Sequence, residues 1–213
     1  MLTINEIFYS VQGEASYAGQ RCVFVRLTAC DLRCSWCDTE YAFHEGRKRS
    51  LDDVVQEVVS YDCPLVEVTG GEPLLQAEVY PLMQRLLDLG KKVLLETGGH
   101  RSTAQVPEDV VTILDVKCPG SGEAHRHDPD NFARLRAHDE VKFVLRDRAD
   151  YDYAKAVIAR EQLDTRVAAI HLSPVHGDLH LRQLTEWVLA DRLPVRVQMQ
   201  LHKIIWDPST RGV

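Results

Sequence analysis

The sequence has no apolar run long enough to cross a membrane and no beginning of the kind that a secretion signal has. Its first residues, MLTINEIFYS, contain neither a basic segment nor an uninterrupted apolar one. No later stretch approaches the roughly 18 apolar residues that a membrane span needs. The chain has only six cysteines, which without such a signal do not indicate a disulfide framework. We therefore expect a cytoplasmic protein whose thiols bind a metal, take part in chemistry or are merely buried.

Positive charge is also scarce, because 25 Lys and Arg residues stand against 32 Asp and Glu residues and the net charge is -7. A surface that follows phosphates needs clustered Lys and Arg, so we expect no binding to bulk nucleic acid. The sequence contains no internal repeat, low-complexity tract or obvious linker. Its 213 residues are enough for one domain with an ample core, and we expect a single domain over 1–213.

Apolar, β-branched segments alternate with segments of helical periodicity along most of the chain. This pattern predicts strands, several of them ending in glycine-rich turns, at 22–29, 64–73, 91–99, 110–122, 139–147, 166–177 and 194–201. It predicts helices at 50–61, 74–90, 149–163 and 179–191, with Ser50 as an N-cap and Gly90 as a C-terminal stop. Such alternation is typical of an α/β fold with a mainly parallel sheet. Since a complete eight-fold barrel needs about 250 residues, we expect an incomplete TIM-like β/α barrel, open on one side.

Small and polar residues follow the predicted strands in five places: CDLRCSWCDT, TGGEP, ETGG, DVKCPGSG and LSPVHG. The carboxyl ends of parallel strands lie at one edge of a sheet and carry the site in most α/β folds. We therefore expect these five segments to meet on one rim.

Three cysteines, Cys30, Cys34 and Cys37, follow the first predicted strand at the spacing C-x3-C-x2-C. Thiolates bind zinc, copper and iron–sulfur clusters. A structural zinc site would need a remote fourth ligand, such as Cys63, Cys118 or a histidine. A four-iron cluster on three cysteines would instead leave one iron open for substrate chemistry. The spacing alone leaves buried thiols, zinc and a cluster as alternatives.

A second motif, Gly70-Gly71-Glu72-Pro73, follows another predicted strand, and Trp36 precedes the last cysteine of the loop. Together these features resemble the radical SAM superfamily. The resemblance implies that the three cysteines hold a [4Fe–4S] cluster whose fourth iron is chelated by S-adenosylmethionine (SAM), the source of a 5′-deoxyadenosyl radical. It also implies that the GGEP backbone contacts the methionine amino group, for which the glutamate carboxylate is suited.

The segment NEIFYSVQGEASYAGQRCVFVRLTACDLRCSWCDT and the end LHKIIWDPSTRGV resemble the 7-carboxy-7-deazaguanine synthase family, and the similarity covers nearly the whole chain. The resemblance implies conversion of 6-carboxy-5,6,7,8-tetrahydropterin to 7-carboxy-7-deazaguanine with loss of ammonia, on the route to queuosine and other 7-deazapurines. Hydrogen abstraction at C6 would start the ring contraction, and SAM would be regenerated. A homodimer and an external electron donor, such as flavodoxin or ferredoxin, are implied as well.

The resemblance also assigns roles to individual residues, none of them catalytic, since the cluster and SAM carry the chemistry. The implied substrate-binding residues are Val11, Gln12, Gly13, Glu14, Arg26, Thr69, His202 and the terminal carboxylate of Val213. The implied SAM-binding residues are Trp36, Cys37, Asp38, Gly70, Gly71, Glu72, Glu96, Asp115, Val116, Lys117, Ser173, Pro174, Val175 and His176. Thr39 is implied as the protein ligand of Mg²⁺, together with the substrate carboxylate and waters.

The chemistry of these residue types agrees with the roles. Gln12 and Glu14 offer donor and acceptor groups to a pterin edge, and Arg26 offers a fork to a carboxylate. A hydroxyl such as that of Thr39 suits Mg²⁺, which prefers oxygen and keeps several waters. On sequence alone, a polar turn for 11–14, a helix cap for Thr39 and a packed core position for His202 stay open.

Two other functions share part of this pattern. An activase that generates a glycyl radical on a partner protein would have the same cysteine spacing and GGEP motif. The VQGE segment, Thr39 and the terminal Gly-Val argue against it. A zinc-stabilised binding module without catalysis would be colourless and would not need the GGEP motif.

Overall fold

The computed structural model describes residues 1–213, and all nine strands belong to one sheet. In chain order the strands are β1 (Leu2–Val11), β2 (Arg21–Leu27), β3 (Arg47–Arg49), β4 (Leu65–Gly70), β5 (Lys92–Thr97), β6 (Val111–Asp115), β7 (Glu140–Leu145), β8 (Ala169–Pro174) and β9 (Arg196–Val197). The helices are α1 (Leu51–Ser60), α2 (Val79–Asp88), α3 (Asp130–Arg134), α4 (Arg148–Glu161), α5 (Leu163–Arg166), α6 (Leu181–Asp191) and α7 (His202–Ile205). None of the helices is both long and apolar enough to cross a membrane.

The strands lie in the order β3-β1-β2-β4-β5-β6-β7-β8-β9. From β2 to β9 every neighbouring pair is parallel, whereas β1 pairs antiparallel with both β2 and β3. The two end strands, β3 and β9, do not pair with each other, so the sheet stays open. The expected α/β fold, an incomplete TIM-like barrel with a mainly parallel sheet, is confirmed.

The local signals for helix ends act as the sequence indicates. Ser50 caps α1 with its side chain, and Asp53 completes a capping box by returning a bond to the Ser50 backbone. Gly90 has a φ of +73° directly after α2, the conformation in which glycine ends a helix without steric cost. The start of α2 differs from the prediction, because residues 73–75 form a separate 3-10 turn with Pro73 at its first position.

Two edges of the sheet depart from the sequence-based prediction. The antiparallel strands β1 and β3 were not predicted, since neither belongs to a βαβ unit. The strand predicted at 194–201 is wrong beyond Val197. After that residue Gln198 still donates its N–H to the Leu172 carbonyl at 2.9 Å, but Leu201 donates to the Gly13 carbonyl at 2.9 Å, and the chain turns into α7.

The core lies between the sheet and the helices, in two apolar clusters. One cluster contains residues from Leu2 to Ile113, including the inner faces of α1 and α2, and the other runs from Leu114 to Val188. Along the strands, apolar side chains alternate with buried polar ones. In β4, for example, Val66 and Val68 belong to the first cluster, while Glu67 and Thr69 are buried on the opposite face. The inner face of the open barrel is therefore polar.

Candidate functional site

The cysteine loop, residues 30–37, and the Gly70-Gly71 turn are in direct backbone contact. Gly71 donates its N–H to the Leu27 carbonyl at 3.1 Å, and Glu72 donates to the Ala29 carbonyl at 2.8 Å. A Cβ atom added to Gly71 would lie 2.3 Å from the Ala29 carbonyl oxygen and 2.8 Å from Cβ of Cys30. Glycine is required here because only a residue without a side chain permits this approach. The ends of β2 and β4 thus meet as expected.

The carboxylate of Glu72 points into the protein. It accepts hydrogen bonds from the Thr97 hydroxyl at 2.8 and 2.9 Å, from the Gly98 N–H at 3.0 Å and from the Leu74 N–H at 3.0 Å. Burial raises its pKa, although the nearby His100 and these hydrogen bonds oppose the rise. This differs from the expectation that the carboxylate faces an ammonium group, because its oxygens already hold the GGEP turn against the end of β5. The prediction that Glu72 contacts SAM therefore rests on its backbone.

The thiols of Cys30, Cys34 and Cys37 are free and partly exposed on the rim. Burial raises the pKa of each, that of Cys34 to about 11, while the neighbouring Lys117 ammonium acts in the opposite direction. No three His, Cys, Asp or Glu side chains converge closely enough to hold one metal ion. Cysteines that hold a four-iron cluster bind separate irons, so they need not converge in that way. The donor set fits the cluster.

The remote cysteines do not complete a zinc site. The Cys63 thiol lies 3.3 Å from the carbonyl oxygen of Arg21, at the start of β2, whereas the cysteine loop follows the end of that strand. Cys118 is fully buried in the second apolar cluster. Neither cysteine belongs to a group of three or more His, Cys, Asp or Glu side chains that could hold a metal ion.

Two further segments reach the same rim, after β6 and β8. Lys117 pairs with Asp115 at 2.8 Å. Burial opposes the charge on both groups, but the neighbouring opposite charges prevail, so the pKa of Asp115 is lowered and that of Lys117 is raised. Val116 is buried, as is Val175 in the second segment, so any contact of these two residues with a cofactor must come from the backbone. Within 173–176, Ser173 is buried, Pro174 is partly buried and His176 is exposed.

A buried network of charges lies on the inner face, centred on Lys142 of β7. Its ammonium bonds to Glu14 at 2.8 Å and to Glu96, and lies 3.7 Å from Asp115. Burial lowers the pKa of Lys142, but the three carboxylates raise it well above its usual value. For Glu14, burial raises the pKa, but the charge of Lys142 and the hydrogen bonds from Lys142 and Gln200 outweigh it, so the pKa is lowered. Both groups are charged.

Sequence reasoning missed Lys142. It lies within the apolar strand segment EVKFVL, where a single lysine indicates only an exposed position. Its side chain is 5% exposed, and a buried lysine requires charged partners. The partners come from β5, β6 and the segment after β1, so their meeting depends on the order of strands in the sheet. The one available signal was the excess of carboxylates expected on the same rim.

Gln12 and Glu14 are both fixed from within the protein. Gln12 is buried and donates its side-chain N–H to Glu67, while its side-chain oxygen accepts the Glu14 N–H at 3.0 Å. Thr69 donates to Glu96 at 3.4 Å, which brings this predicted substrate residue to the network as well. Val11, at the end of β1, is partly buried.

Arg26, at the end of β2, presents an unused guanidinium fork. Its Nε donates to Glu6 at 2.8 Å, and its guanidinium lies within 6 Å of the rings of Phe8 and Tyr41. Neither terminal nitrogen donates a hydrogen bond to another protein group. The side chain is 17% exposed, and burial opposes its charge, but Tyr41 and Glu6 raise its pKa. It is therefore a charged group that can bind a carboxylate with two parallel hydrogen bonds.

The C-terminal segment, residues 198–213, closes over the residues after β1. Gln200 donates to Glu14 at 2.9 Å and Gln198 donates to its other oxygen at 3.3 Å. His202 lies so close to Gly13 that a Cβ there would be 2.2 Å from Nδ1 of the imidazole. Burial lowers the pKa of His202, which favours the neutral ring. The structure thus brings three predicted substrate residues together, Gly13, Glu14 and His202.

The last residues of the segment lie beside Arg26. The Arg211 guanidinium lies 3.9 Å from the centre of the Tyr41 ring and pairs with Glu45 at 3.0 Å. Gly212 lies beside Glu6, since a Cβ added to it would be 3.9 Å from the carboxylate. Val213 is partly exposed at this point. The last residues of the segment therefore lie near Glu6, the residue that accepts the hydrogen bond from Arg26.

Asp38 and Thr39 lie between the cysteine loop and the C-terminal segment and have side-chain oxygen atoms there. Thr39 donates its hydroxyl to Asp38 at 2.9 Å, and Lys203 pairs with Asp38 at 2.6 Å. Burial raises the pKa of Asp38, but Lys203 and Thr39 outweigh it and lower that pKa well below the usual range. Lys203 already neutralises the Asp38 carboxylate. Of this pair of residues, only the hydroxyl oxygen of Thr39 is therefore left as a ligand for a hard cation. It fits Mg²⁺ only as one ligand among waters and substrate oxygens.

The comparisons with known proteins agree with the site. A family model described as "Radical SAM superfamily" matches residues 25–118, which include the cysteine loop and the GGEP turn. A protein named 7-carboxy-7-deazaguanine synthase from Koribacter versatilis is 48% identical over the full length of both chains. Another of the same name from Chlorobaculum tepidum is 46% identical over 100% of this chain and 97% of its own.

The fold matches as well. The crystal structure of QueE from Escherichia coli superposes with a TM-score of 0.79, covering 94% of each chain at 22% sequence identity. At that identity the likeness shows the fold alone, while the full-length sequence relatives show the family. The chain is a radical SAM enzyme and belongs to the 7-carboxy-7-deazaguanine synthase family.

Proposed function

We propose that this enzyme converts 6-carboxy-5,6,7,8-tetrahydropterin to 7-carboxy-7-deazaguanine with release of ammonia, by a ring contraction that begins with hydrogen abstraction at C6. One observation carries the proposal. An unused guanidinium fork, Arg26, and a set of fixed hydrogen-bonding groups, Gln12 and Glu14, lie at the strand ends beside the cysteine loop. A pterin that bears a carboxylate needs this combination of a cation and an amide-binding edge.

Cys30, Cys34 and Cys37 would hold the [4Fe–4S] cluster, with SAM lying along the rim formed by the Gly70-Gly71 turn. When bound, the two groups supply the radical that takes the hydrogen atom. The protein's part is to hold the substrate in reach and to exclude water. The other proposed SAM contacts are Trp36, Cys37, Asp38, Glu72, Glu96, 115–117 and 173–176. Of these, Glu96 also pairs with Lys142 on the inner face.

Substrate recognition is proposed to work through fixed partners. Glu14 is held ionised by Lys142 and Gln200. Its Oε2 already accepts hydrogen bonds from Lys142 and Gln198, so its Oε1 can accept one further hydrogen bond from the amino side of a pterin ring. Gln12 is oriented by Glu67. Arg26 would bind the substrate carboxylate, the terminal carboxylate of Val213 would accept a hydrogen bond from an N–H group of the substrate, and Thr69 and His202 would line the space between.

Mg²⁺ is proposed to bind at Thr39, bridging the protein and the substrate carboxylate. The ion would stabilise negative charge on that carboxylate while Arg26 holds it in position. We further propose a single radical SAM domain over 1–213 that acts as a homodimer in the cytoplasm, where its six free thiols would stay reduced, with an external protein as electron donor.

The first experiment reconstitutes the protein with iron and sulfide without oxygen and follows pterin turnover by mass spectrometry, with Cys34→Ala as the inactive control. In Arg26→Lys we expect KM for the pterin to rise by about tenfold or more, because an ammonium cannot reproduce the two parallel hydrogen bonds of the fork. SAM binding should be unchanged.

The matched control is Arg21→Lys, which changes the first residue of the same strand, where the arginine is exposed. A reconstituted enzyme that cleaves SAM but leaves the carboxypterin intact would overturn the substrate and keep the superfamily. An unchanged KM in Arg26→Lys would overturn the proposed carboxylate clamp.

A further inference from the structure

The strand β1 contains a bulge that places Glu6 directly opposite Arg26. Ile4 pairs with Leu27 and Glu6 pairs with Arg26, so a step of two residues along β1 matches a step of one residue along β2. Bulges of this kind re-aim a side chain, often beside an active site. Here the Oε1 atom of Glu6 accepts the Arg26 Nε–H at 2.8 Å. The irregularity in β1 therefore supplies a partner to the side chain that we assign to the substrate carboxylate.

Tyr41 binds the same oxygen of Glu6. It lies in the 3-10 turn Glu40–Phe43, a few residues after the cysteine loop, and its hydroxyl donates to Oε1 of Glu6 at 2.8 Å. Burial raises the pKa of Tyr41 to about 12, although the charge of Arg26 acts against the rise, so the hydroxyl keeps its proton at neutral pH. The Arg26 guanidinium also lies 5.9 Å from the centre of the Tyr41 ring. Tyr41 is thus linked to Arg26 both directly and through Glu6.

The turn that carries Tyr41 is itself anchored to the sheet. Just after the turn, the carbonyl of Glu45 accepts hydrogen bonds from the Asn5 side chain at 2.7 Å and from the Thr28 hydroxyl at 2.5 Å. Asn5 lies in the bulge of β1, between the two residues whose register shifts. One irregularity of β1 therefore both aims Glu6 and holds the turn from which the Tyr41 hydroxyl reaches it.

We propose that Tyr41 is a positioning residue for substrate binding, which acts through Glu6 to aim the Arg26 guanidinium at the carboxylate of the pterin. The inference rests on the proposed function, since it needs a substrate carboxylate at Arg26. Glu6 holds Nε of Arg26 and the Tyr41 hydroxyl holds Glu6, so the two terminal nitrogens stay free and keep one orientation. A guanidinium that is oriented before the ligand arrives loses less conformational freedom on binding, which strengthens the binding of the carboxylate.

The test removes only the hydroxyl of Tyr41. Tyr41→Phe keeps the ring beside which the guanidinium groups of Arg26 and Arg211 lie. Tyr151→Phe is the matched control, because the Tyr151 hydroxyl also donates to a carboxylate, that of Asp191, at 2.9 Å, but between α4 and α6.

Two ligands are titrated by calorimetry, without oxygen, into the reconstituted but unreduced enzyme with SAM present, so that no turnover occurs. One is the carboxytetrahydropterin, and the other is 5,6,7,8-tetrahydropterin, which has the same ring without the carboxylate. Comparing them separates the orientation of Arg26 from the rest of the pterin site.

We expect Tyr41→Phe to raise the Kd for the carboxytetrahydropterin by about 3- to 10-fold, the effect of losing one net hydrogen bond, and to leave the Kd for tetrahydropterin unchanged. Tyr151→Phe should change neither value. Because Tyr41 acts through Arg26, its effect should vanish once the fork is gone. The double variant Tyr41→Phe/Arg26→Lys should therefore bind the carboxytetrahydropterin as Arg26→Lys alone does, within about twofold.

Equal affinity of Tyr41→Phe and Tyr151→Phe for the carboxytetrahydropterin would overturn the proposal. Equal weakening of both ligands in Tyr41→Phe would also overturn it, because the hydroxyl would then maintain the site as a whole. The same holds if the effects of Tyr41→Phe and Arg26→Lys multiply in the double variant, since Tyr41 would then act independently of Arg26. Failure of the proposed function is distinguishable, because it would appear in the unmodified enzyme as no conversion of the carboxytetrahydropterin, and the inference would fall with it.

Discussion

Glu67 is a buried carboxyl group that the protein keeps on its inner face with Gln12 as its hydrogen-bond donor. Burial, followed by the charges of Glu96 and Glu14, raises its pKa well above the usual value. Folding thus favours the protonated form of this carboxyl group. Neutral Glu67 can sit beside Glu14 without adding a further charge to a region where Lys142 is already shared by three carboxylates.

Glu67→Gln should stabilise the protein more at pH 8 than at pH 5. A carboxyl group whose pKa is raised by folding costs nothing below its unfolded-state pKa, and its stability penalty grows as pH rises toward the folded-state pKa. Glutamine keeps an acceptor for Gln12 and does not ionise. Melting temperatures between pH 5 and 8 check this, and we expect a gain of a few degrees at the upper end.

Glu78→Gln is the matched control, because Glu78 is exposed and its side chain caps nothing. If the melting temperatures of Glu67→Gln and the parent chain changed with pH by the same amount, Glu67 would be ionised in the folded state, contrary to the prediction.

Some residues of the site could be predicted from the sequence and others could not. Cys30 and Gly71 were identified because they belong to motifs with a fixed spacing, and Arg26 because the family that the sequence resembles has an arginine before the cysteine loop. Lys142 and Glu67 were not, since each occupies one position of an apolar strand and has no local partner. A buried charge is recognisable only from its neighbours, and these neighbours come from other strands.

At the scale of elements, the Gly70-Gly71 turn and the cysteine loop form one unit built on the ends of β2 and β4. In Gly71→Ala the new methyl group would meet the Ala29 carbonyl oxygen at 2.3 Å, and backbone atoms cannot rotate away as a side chain can. We expect the loop to shift, so that anaerobic reconstitution yields less than half of the iron bound by the parent chain. Iron and sulfide analysis measures this.

Gly19→Ala is the control for Gly71→Ala. Gly19 has a φ of +88° and no atom within 4 Å of an added Cβ, so the change costs about 1 kcal/mol of backbone strain and leaves the loop alone. If both variants bound the same amount of iron, the backbone contact would not be needed to form the cluster site.

The elements themselves were predicted unevenly. Strands and helices within βαβ units have strong period-2 or period-3.6 patterns and clear caps, as at Ser50 and Gly90. The antiparallel β1 has an apolar pattern interrupted at its middle by Asn5 and Glu6. Beyond Val197 the sequence still alternates, but its glutamine side chains bind Glu14 instead of extending a sheet.

At the scale of the whole molecule, the two apolar clusters are joined across the open barrel by polar contacts. The segment after β1 crosses to the other half, where Ser16 donates its N–H to Glu140 at 3.1 Å and Ala15 donates to Gln198 at 2.8 Å. Lys142 belongs to the second half and binds Glu14 and Glu96 of the first. The sequence could not show this, because it depends on which strands become neighbours.

Lys142→Met should therefore destabilise the whole protein by about 3–5 kcal/mol, since it leaves buried carboxylates without their counter-charge. Adding Glu96→Gln removes one of the carboxylates and should restore about 1–2 kcal/mol, a coupling typical of residues in direct contact. Denaturant unfolding measures both values. Lys155→Met removes an ammonium that pairs with Asp191 near the surface, and its effect should be much smaller. If Lys142→Met were no more destabilising than Lys155→Met, the two halves would be held together by their apolar contacts, and the charges across the barrel would serve the substrate alone.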